Sequence, residues 1–177
     1  MAVTSVRAVS AERWTDFEQL FTARGGPHYC WCAVYRLPGN EHLSSEERRE
    51  ATRALVERGV PIGVLAYDGD QPVGWCSVAP RESYAKLARS RTMPRVTPED
   101  VPTWTVLCFF VPRPHRGEGV TRALLDGAVR VARQRGAAVV EGYPFDTAGI
   151  SSTHRGHSSV FAEAGFAREG RRWRLEL

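Results

Sequence analysis

No run of about 18 apolar residues occurs in the 177-residue chain, so no segment reads as a membrane span. The first seven residues, Met1 to Arg7, lack the apolar core of a secretion signal, and the expectation is a cytoplasmic protein. The Cys-x-x-Cys repeat of a structural zinc site is missing too. Cys30 and Cys32 are separated by one residue, and Cys76 and Cys108 fall inside strand-like apolar segments. Reduced thiols and no metal are expected. Linkers, low-complexity tracts and internal repeats are lacking, which leaves a single domain over residues 1–177, large enough to bury a proper core. The basic residues are scattered and no nucleic-acid-binding motif is visible, so neither nucleic acid nor membrane is an expected partner.

What is there is the composition of an ordinary globule, 42% hydrophobic and 25% charged, with a formal charge of +4. Residues 1–112 hold 13 Lys/Arg and 13 Asp/Glu, whereas residues 113–177 hold 11 Arg and 7 acids, so the later part carries the whole excess. That asymmetry suits an anionic ligand held there. The same part contains the most informative stretch, Cys108 to Leu125: an apolar strand, a turn punctuated by Pro112, Pro114, Gly117 and Gly119, and the first turns of an amphipathic helix. Two glycines at i and i+2 where a helix begins leave unpartnered N–H groups at the positive end of the helix dipole, open to a phosphate or pyrophosphate. Arg116 and Arg122 add two guanidiniums within reach of a polyanion. A P-loop is excluded because its Gly-Lys-Ser/Thr is absent, and a dinucleotide fingerprint because the third glycine is missing.

Periodicity predicts a strand at 5–9 and a helix over 10–23 capped by Ser10. A second helix runs from Ser44 to Arg58, and a hairpin turns at Asp68-Gly69-Asp70. Residues 80–102 read as polar loop with a short helix. Strand 103–111, helix 119–135, strand 137–141, helix 158–164 and two closing strands follow.

Arg116-Gly117-Glu118-Gly119-Val120-Thr121 resembles the acyl-CoA turn of the GNAT superfamily of N-acetyltransferases, Arg/Gln-x-x-Gly-x-Gly/Ala, with Thr121 in place of the last small residue. The ending His154 to Phe166 aligns without gaps with the same superfamily's Asn-x-x-Ala-x-x-x-Tyr-x-x-x-Gly-Phe. It keeps Gly165-Phe166 and departs at His154, His157 and Phe161. The element order matches over essentially the whole chain. The segments Cys30-Trp31-Cys32, Gly74-Trp75-Cys76 and Glu141-Gly142-Tyr143-Pro144 resemble a bacterial subgroup of that superfamily. The likeness implies an α/β (α+β) fold: a central mixed, mostly antiparallel twisted sheet of six to seven strands, flanked by about four helices. It also implies acetyl-CoA as donor, a primary amine of a small molecule as acceptor, and a monomer or homodimer.

Carried over residue by residue, the resemblance gives the backbone of Phe109, Phe110 and Val111 to the pantetheine and thioester. It gives Arg116, Gly117, Glu118, Gly119, Val120 and Thr121 to the pyrophosphate, and sets His154 beside the cofactor arm. Phe161 stands where the superfamily often keeps an acidic Tyr, so the proton donor falls to Tyr143, if one is used. Strand 103–111 contains no carboxylate, which leaves Glu141 as candidate base; a structural pairing with an Arg and a water relay are the alternatives. The acceptor wall is expected from Cys30, Trp31, Cys32, Tyr35 and Trp75, with Tyr84 nearby; the same aromatics would equally pack the first helix onto the sheet. A non-catalytic acyl-CoA-binding module and a protein lysine or N-terminal acetyltransferase are the competing readings.

Overall fold

The computed structural model describes residues 2–146 and 153–177. Among these residues seven strands form one sheet in the order β1-β2-β3-β4-β5-β7-β6: β1 Ser5–Ala8, β2 Gly63–Asp68, β3 Gln71–Pro80, β4 Thr103–Phe110, β5 Val139–Gly142, β6 Ala167–Glu169 and β7 Arg172–Glu176. Every neighbouring pair is antiparallel except β4 and β5. Among the described residues four helices flank it: α1 Trp14–Thr22, α2 Ser45–Glu57, α3 Val120–Gln134 and α4 Ser158–Glu163. This is the mixed, mostly antiparallel architecture expected.

Local chemistry sets the boundaries. The Ser44 hydroxyl accepts from the Glu47 N–H at 3.2 Å and Glu47 accepts from the Ser44 N–H at 2.7 Å, a capping box that starts α2. Ser10 behaves differently from its sequence reading. Residues Ala11–Arg13 form a 3-10 turn, the Ser10 hydroxyl accepts from Arg13 at 3.2 Å, and α1 begins only at Trp14. The β2–β3 hairpin closes through Gly69 with φ of 58°, as its Asp-Gly signal implies. Residues 80–102 hold two 3-10 turns, Arg81–Ser83 and Ala85–Arg89.

The sheet separates two cores. On one face α3 and α4 bury Leu124, Leu125, Ala128 and Phe161 against Val64, Cys76, Val106 and Val140. On the other, α1 and the segment before α2 bury Phe17, Phe21 and Trp31 against Leu65 and Trp75, while Tyr84, Leu87 and Met93 cover Leu107 and Tyr143. A Cβ on Gly74 would lie 2.7 Å from Val120 Cγ1. The bare backbone there lets the first turn of α3 sit directly on β3, which fixes where the N-terminus of that helix opens. Among the described residues no helix is long and apolar enough to cross a membrane.

Candidate active site

Two features meet at one end of the sheet. β4 pairs with β5 only as far as Val106 opposite Gly142, yet it stays paired with β3 out to Phe110 opposite Trp75. Leu107 is the extra residue of a bulge, since Cys108 faces Ser77 and Val106 faces Val78. Leu107–Phe110 therefore have no β5 partner, and the chain after β5 leaves through Tyr143 and Pro144. Gly142 stays bare because Phe161 occupies the space: a Cβ there would meet Phe161 Cε1 at 2.3 Å.

Beside this parting, α3 begins. Gly117 and Gly119 have φ of 81° and 79°, the left-handed region where glycine is at ease, and a Cβ on either would find nothing within 4 Å. The first N–H of this helix to find an acceptor one turn back is that of Ala123, on Gly119 O at 3.1 Å. The preceding N–H groups are left for an outside partner. Arg116 is exposed and its Nε donates to Val111 O at 2.9 Å, which holds the guanidinium at the turn. The residues thus fit a pyrophosphate: an open, positive, backbone-lined cradle. Glu118 is exposed within it, and Val120 is buried with its side chain turned into the core. Arg122 is spent elsewhere, on Asp126 at 3.0 Å and Glu163 at 3.7 Å.

The side chains of Phe109, Phe110 and Val111 pack into the two cores, so only their backbone faces the parting. Phe109 meets Phe161 edge-on at 6.3 Å, and Phe161 is fully buried. His154 lies on the 3-10 turn Thr153–Arg155, half-buried, and His157 is the exposed N-cap of α4.

Glu141 is buried, and its carboxylate is fully engaged. Arg81 donates to Oε1, Thr105 donates to the same oxygen at 3.0 Å, and Arg172 donates to Oε2 at 2.6 Å. With both oxygens occupied and the side chain 1% exposed, the carboxylate offers an amine no open approach. Tyr143 sits two residues further, 3% exposed, its oxygen accepting from Arg81 at 3.2 Å. No acceptor holds its own proton among the described residues. Burial, then the nearby Glu141 charge, pushes its pKa up to about 12. A cleft of about 570 Å³ opens beside it, bounded by Pro144, Phe145, Arg155, Ser158 and the β6–β7 turn at Gly170 and Arg171.

The expected acceptor segment folds differently from an open wall. Trp31 and Trp75 are 2% and 0% exposed, with Trp31 stacked on Phe21 at 5.6 Å and its indole N–H donating to Ser45 at 3.1 Å. They are core, because α1 needs an aromatic layer to rest on the sheet. Trp31 and Cys32 both have positive φ, 47° and 58°, a turn that drives the indole inward. Cys30 and Cys32 are half-buried, and Cys30 Sγ accepts from the Cys32 N–H at 3.4 Å. Burial, then the neighbouring Cys32 thiol, pushes the Cys30 thiol up to about 11, against the Cys32 N–H bond and the Arg48 charge. Tyr35 alone of this group reaches the cleft region: its hydroxyl accepts from Arg155 at 3.1 Å. Tyr84 is buried, hydrogen-bonded to Ser77 at 2.9 Å and to Arg36 at 3.1 Å, with Arg36 stacked over its ring. Among the described residues no group of three or more His, Cys, Asp or Glu is arranged to hold a metal.

Sequence reasoning missed Arg81, Arg172 and Arg155. Their partners lie 60, 31 and 120 residues away, so only the strand order brings them together.

The bulged strand, its parting from its parallel neighbour and the two-glycine helix start all lie within the stretch that matches a known family. Residues 12–146 match the model of the acetyltransferase (GNAT) family. The chain belongs to that family. Acetyl-CoA is the donor GNAT enzymes use. A GCN5-related N-acetyltransferase from Kribbella flavida superposes with a TM-score of 0.58 at 15% identity, covering 98% of this chain and 97% of that one. An N-acetyltransferase from Staphylococcus aureus Mu50 gives 0.57 at 14% identity, with 97% of both chains covered. A GNAT family acetyltransferase from Brucella melitensis, in complex with acetyl-CoA, gives 0.51 at 14% identity over 98% of this chain and 87% of that one. At these identities the likeness is one of fold. No curated protein matches the sequence.

Proposed function

We propose that this GNAT protein transfers an acetyl group from acetyl-CoA directly to the primary amine of a small molecule. The observation that carries the reading is the parting of β4 from β5 after Val106 and Gly142, in line with the open N-terminus of α3. The bound donor would supply a thioester, whose carbonyl carbon is the electrophile and whose sulfur departs.

The chain's own residues do the rest. The turn from Arg116 to Thr121 holds the pyrophosphate through backbone N–H groups at the positive end of α3. The backbone of Phe109, Phe110 and Val111 aligns the pantetheine arm, with His154 beside it, and orientation of this kind supplies much of the rate of an acyl transfer. Tyr143 donates a hydrogen bond towards the departing sulfur. At a pKa of about 12 it is a weaker acid than a thiol near 8.5, so it stabilises developing charge and keeps its proton. Glu141 fixes Arg81, and through it the Tyr143 oxygen; the proton of the ammonium leaves through water in the cleft. The cleft volume of about 570 Å³ is that of a small-molecule site, which favours a small amine over a protein chain.

The test is thiol release from acetyl-CoA across a panel of primary amines, with the acetylated product identified by mass. Turnover of at least one small amine is expected. Tight acetyl-CoA binding with no release by any amine would leave a binding module in place of an enzyme.

A further inference from the structure

The cleft beside Tyr143 has an unbalanced charge. Arg155, Arg168 and Arg171 line it, and Arg91 joins Arg171 on the adjoining recess of about 280 Å³. None of the four has a carboxylate within 4.0 Å among the described residues, although Asp146 feels the charge of Arg168 across the cleft. Arg155 donates to the Tyr35 hydroxyl at 3.1 Å and Arg168 to Gly170 O at 3.0 Å. Both interactions orient a guanidinium without neutralising it. The two acids that border these spaces are already committed. The Ser158 hydroxyl and then its N–H, at 2.9 Å, hold the Asp146 pKa below the usual range, with smaller contributions from the charges of His157 and Arg168. Glu169 is tied to Arg172 at 2.9 Å and Arg174 at 3.3 Å. Three neighbouring arginines are matched: Arg81, Arg95 and Arg172 each have a carboxylate.

An apolar-floored cleft with surplus guanidiniums on its rim recognises an anionic oxygen pair, and the planar fork of arginine matches a carboxylate in two parallel bonds. We propose that the acceptor amine also bears a carboxylate, and that Arg155 and Arg171 hold it beside Tyr143. This rests on the acetyl-transfer reading above. The two residues come from separate elements, the segment before α4 and the β6–β7 turn. A carboxylate between them anchors one end of the acceptor and leaves its amine free to approach the parting of β4 and β5. Arg155 is additionally braced by Tyr35, so it meets the ligand pre-oriented.

The test compares 4-aminobutyrate, glutamate and phenylalanine, each against the same skeleton with the carboxylate nearest its amine converted to a primary carboxamide, with rates expressed per free amine. The carboxylate member is expected to have a kcat/KM about 10- to 100-fold larger, the range charge-assisted hydrogen bonds supply. Arg155→Gln and Arg171→Gln should each raise its KM about tenfold and leave coenzyme A affinity by calorimetry unchanged. Arg133→Gln removes the same charge near the exposed end of α3 and should change neither. Equal turnover of carboxylate and carboxamide, or a preference that survives the Arg155→Gln/Arg171→Gln double variant, overturns the proposal while the transfer reading stands. If no amine is turned over, calorimetry of the same amino acids on the coenzyme A-loaded protein decides. Binding lost in the double variant upholds the cleft and sinks the transfer reading; absence of binding sinks the cleft.

Discussion

Arg172 donates to Oε2 of Glu141 at 2.6 Å, and both side chains are buried. Arg81 takes the other oxygen and also donates to Met93 O at 2.6 Å, while Arg172 reaches Thr97. One carboxylate thereby ties the end of β3, β5, β7 and the 93–97 segment together under the floor of the cleft. Desolvating three charges is costly, and the cost is recovered only while all the partners are present.

Glu141→Gln should accordingly destabilise the protein by about 3–5 kcal/mol, because it leaves two guanidiniums buried over a neutral amide. Urea unfolding measures it. A loss below about 1 kcal/mol would show that the cluster is loosely held and that water reaches it.

Gly119→Val bears on the cofactor cradle. Nothing lies within 4 Å of the added Cβ, so the protein should fold with only the backbone cost of a left-handed branched residue, about 1–2 kcal/mol. Acetyl-CoA binding should nevertheless vanish, since the side chain fills the space over the free N–H groups. Calorimetry on the folded variant is decisive, and unchanged affinity would move the pyrophosphate elsewhere.

The thiols give a pH prediction. Cys30 is raised to about 11, and Cys76 and Cys108 are also raised, burial being the main cause for each. Alkylation reads the thiolate, so native Cys30 should react about 100-fold more slowly at pH 7.5 than an exposed thiol, and about tenfold faster per pH unit up to pH 11. Stability follows the same sign. These groups are neutral in the fold when their unfolded counterparts ionise near 9, so stability is complete below pH 9 and falls as pH rises from 9 towards 11. Fast labelling at neutral pH, or flat stability across that range, would contradict the burial of the Cys30–Cys32 turn.

Much of the fold was legible in the chain. The Asp68-Gly69 hairpin, the Ser44/Glu47 box and the α3 periodicity each rest on contacts within a few residues, where local chemistry decides. The pairing partners of Glu141 were not legible, because Arg172 depends on β7 lying next to β5 and Arg81 on where the chain leaves β3. The fate of Trp31 was equally hidden. A cluster of aromatics does not state which side faces solvent, and two non-glycine residues with positive φ carry no sequence signal. Arg155 and Arg171 were visible only as part of a charge asymmetry in the last third, since the fold alone places both on one cleft.

Tyr143→Phe separates a hydrogen-bond donor from a packing aromatic. The ring stays buried against Met93 and Leu107, so stability should change little. Removing the hydroxyl deletes one bond to developing charge, and kcat should fall about tenfold at unchanged acetyl-CoA affinity, the pattern of a group used in the transition state. Because the hydroxyl titrates only near 12, wild type and variant should share the same rate profile between pH 6 and about pH 10. An alkaline limb present in wild type and lost in the variant would instead mean full proton transfer from a tyrosine far more acidic than its surroundings imply. Equal kcat values would assign Tyr143 to packing, with Arg81 left to stabilise the cleft alone.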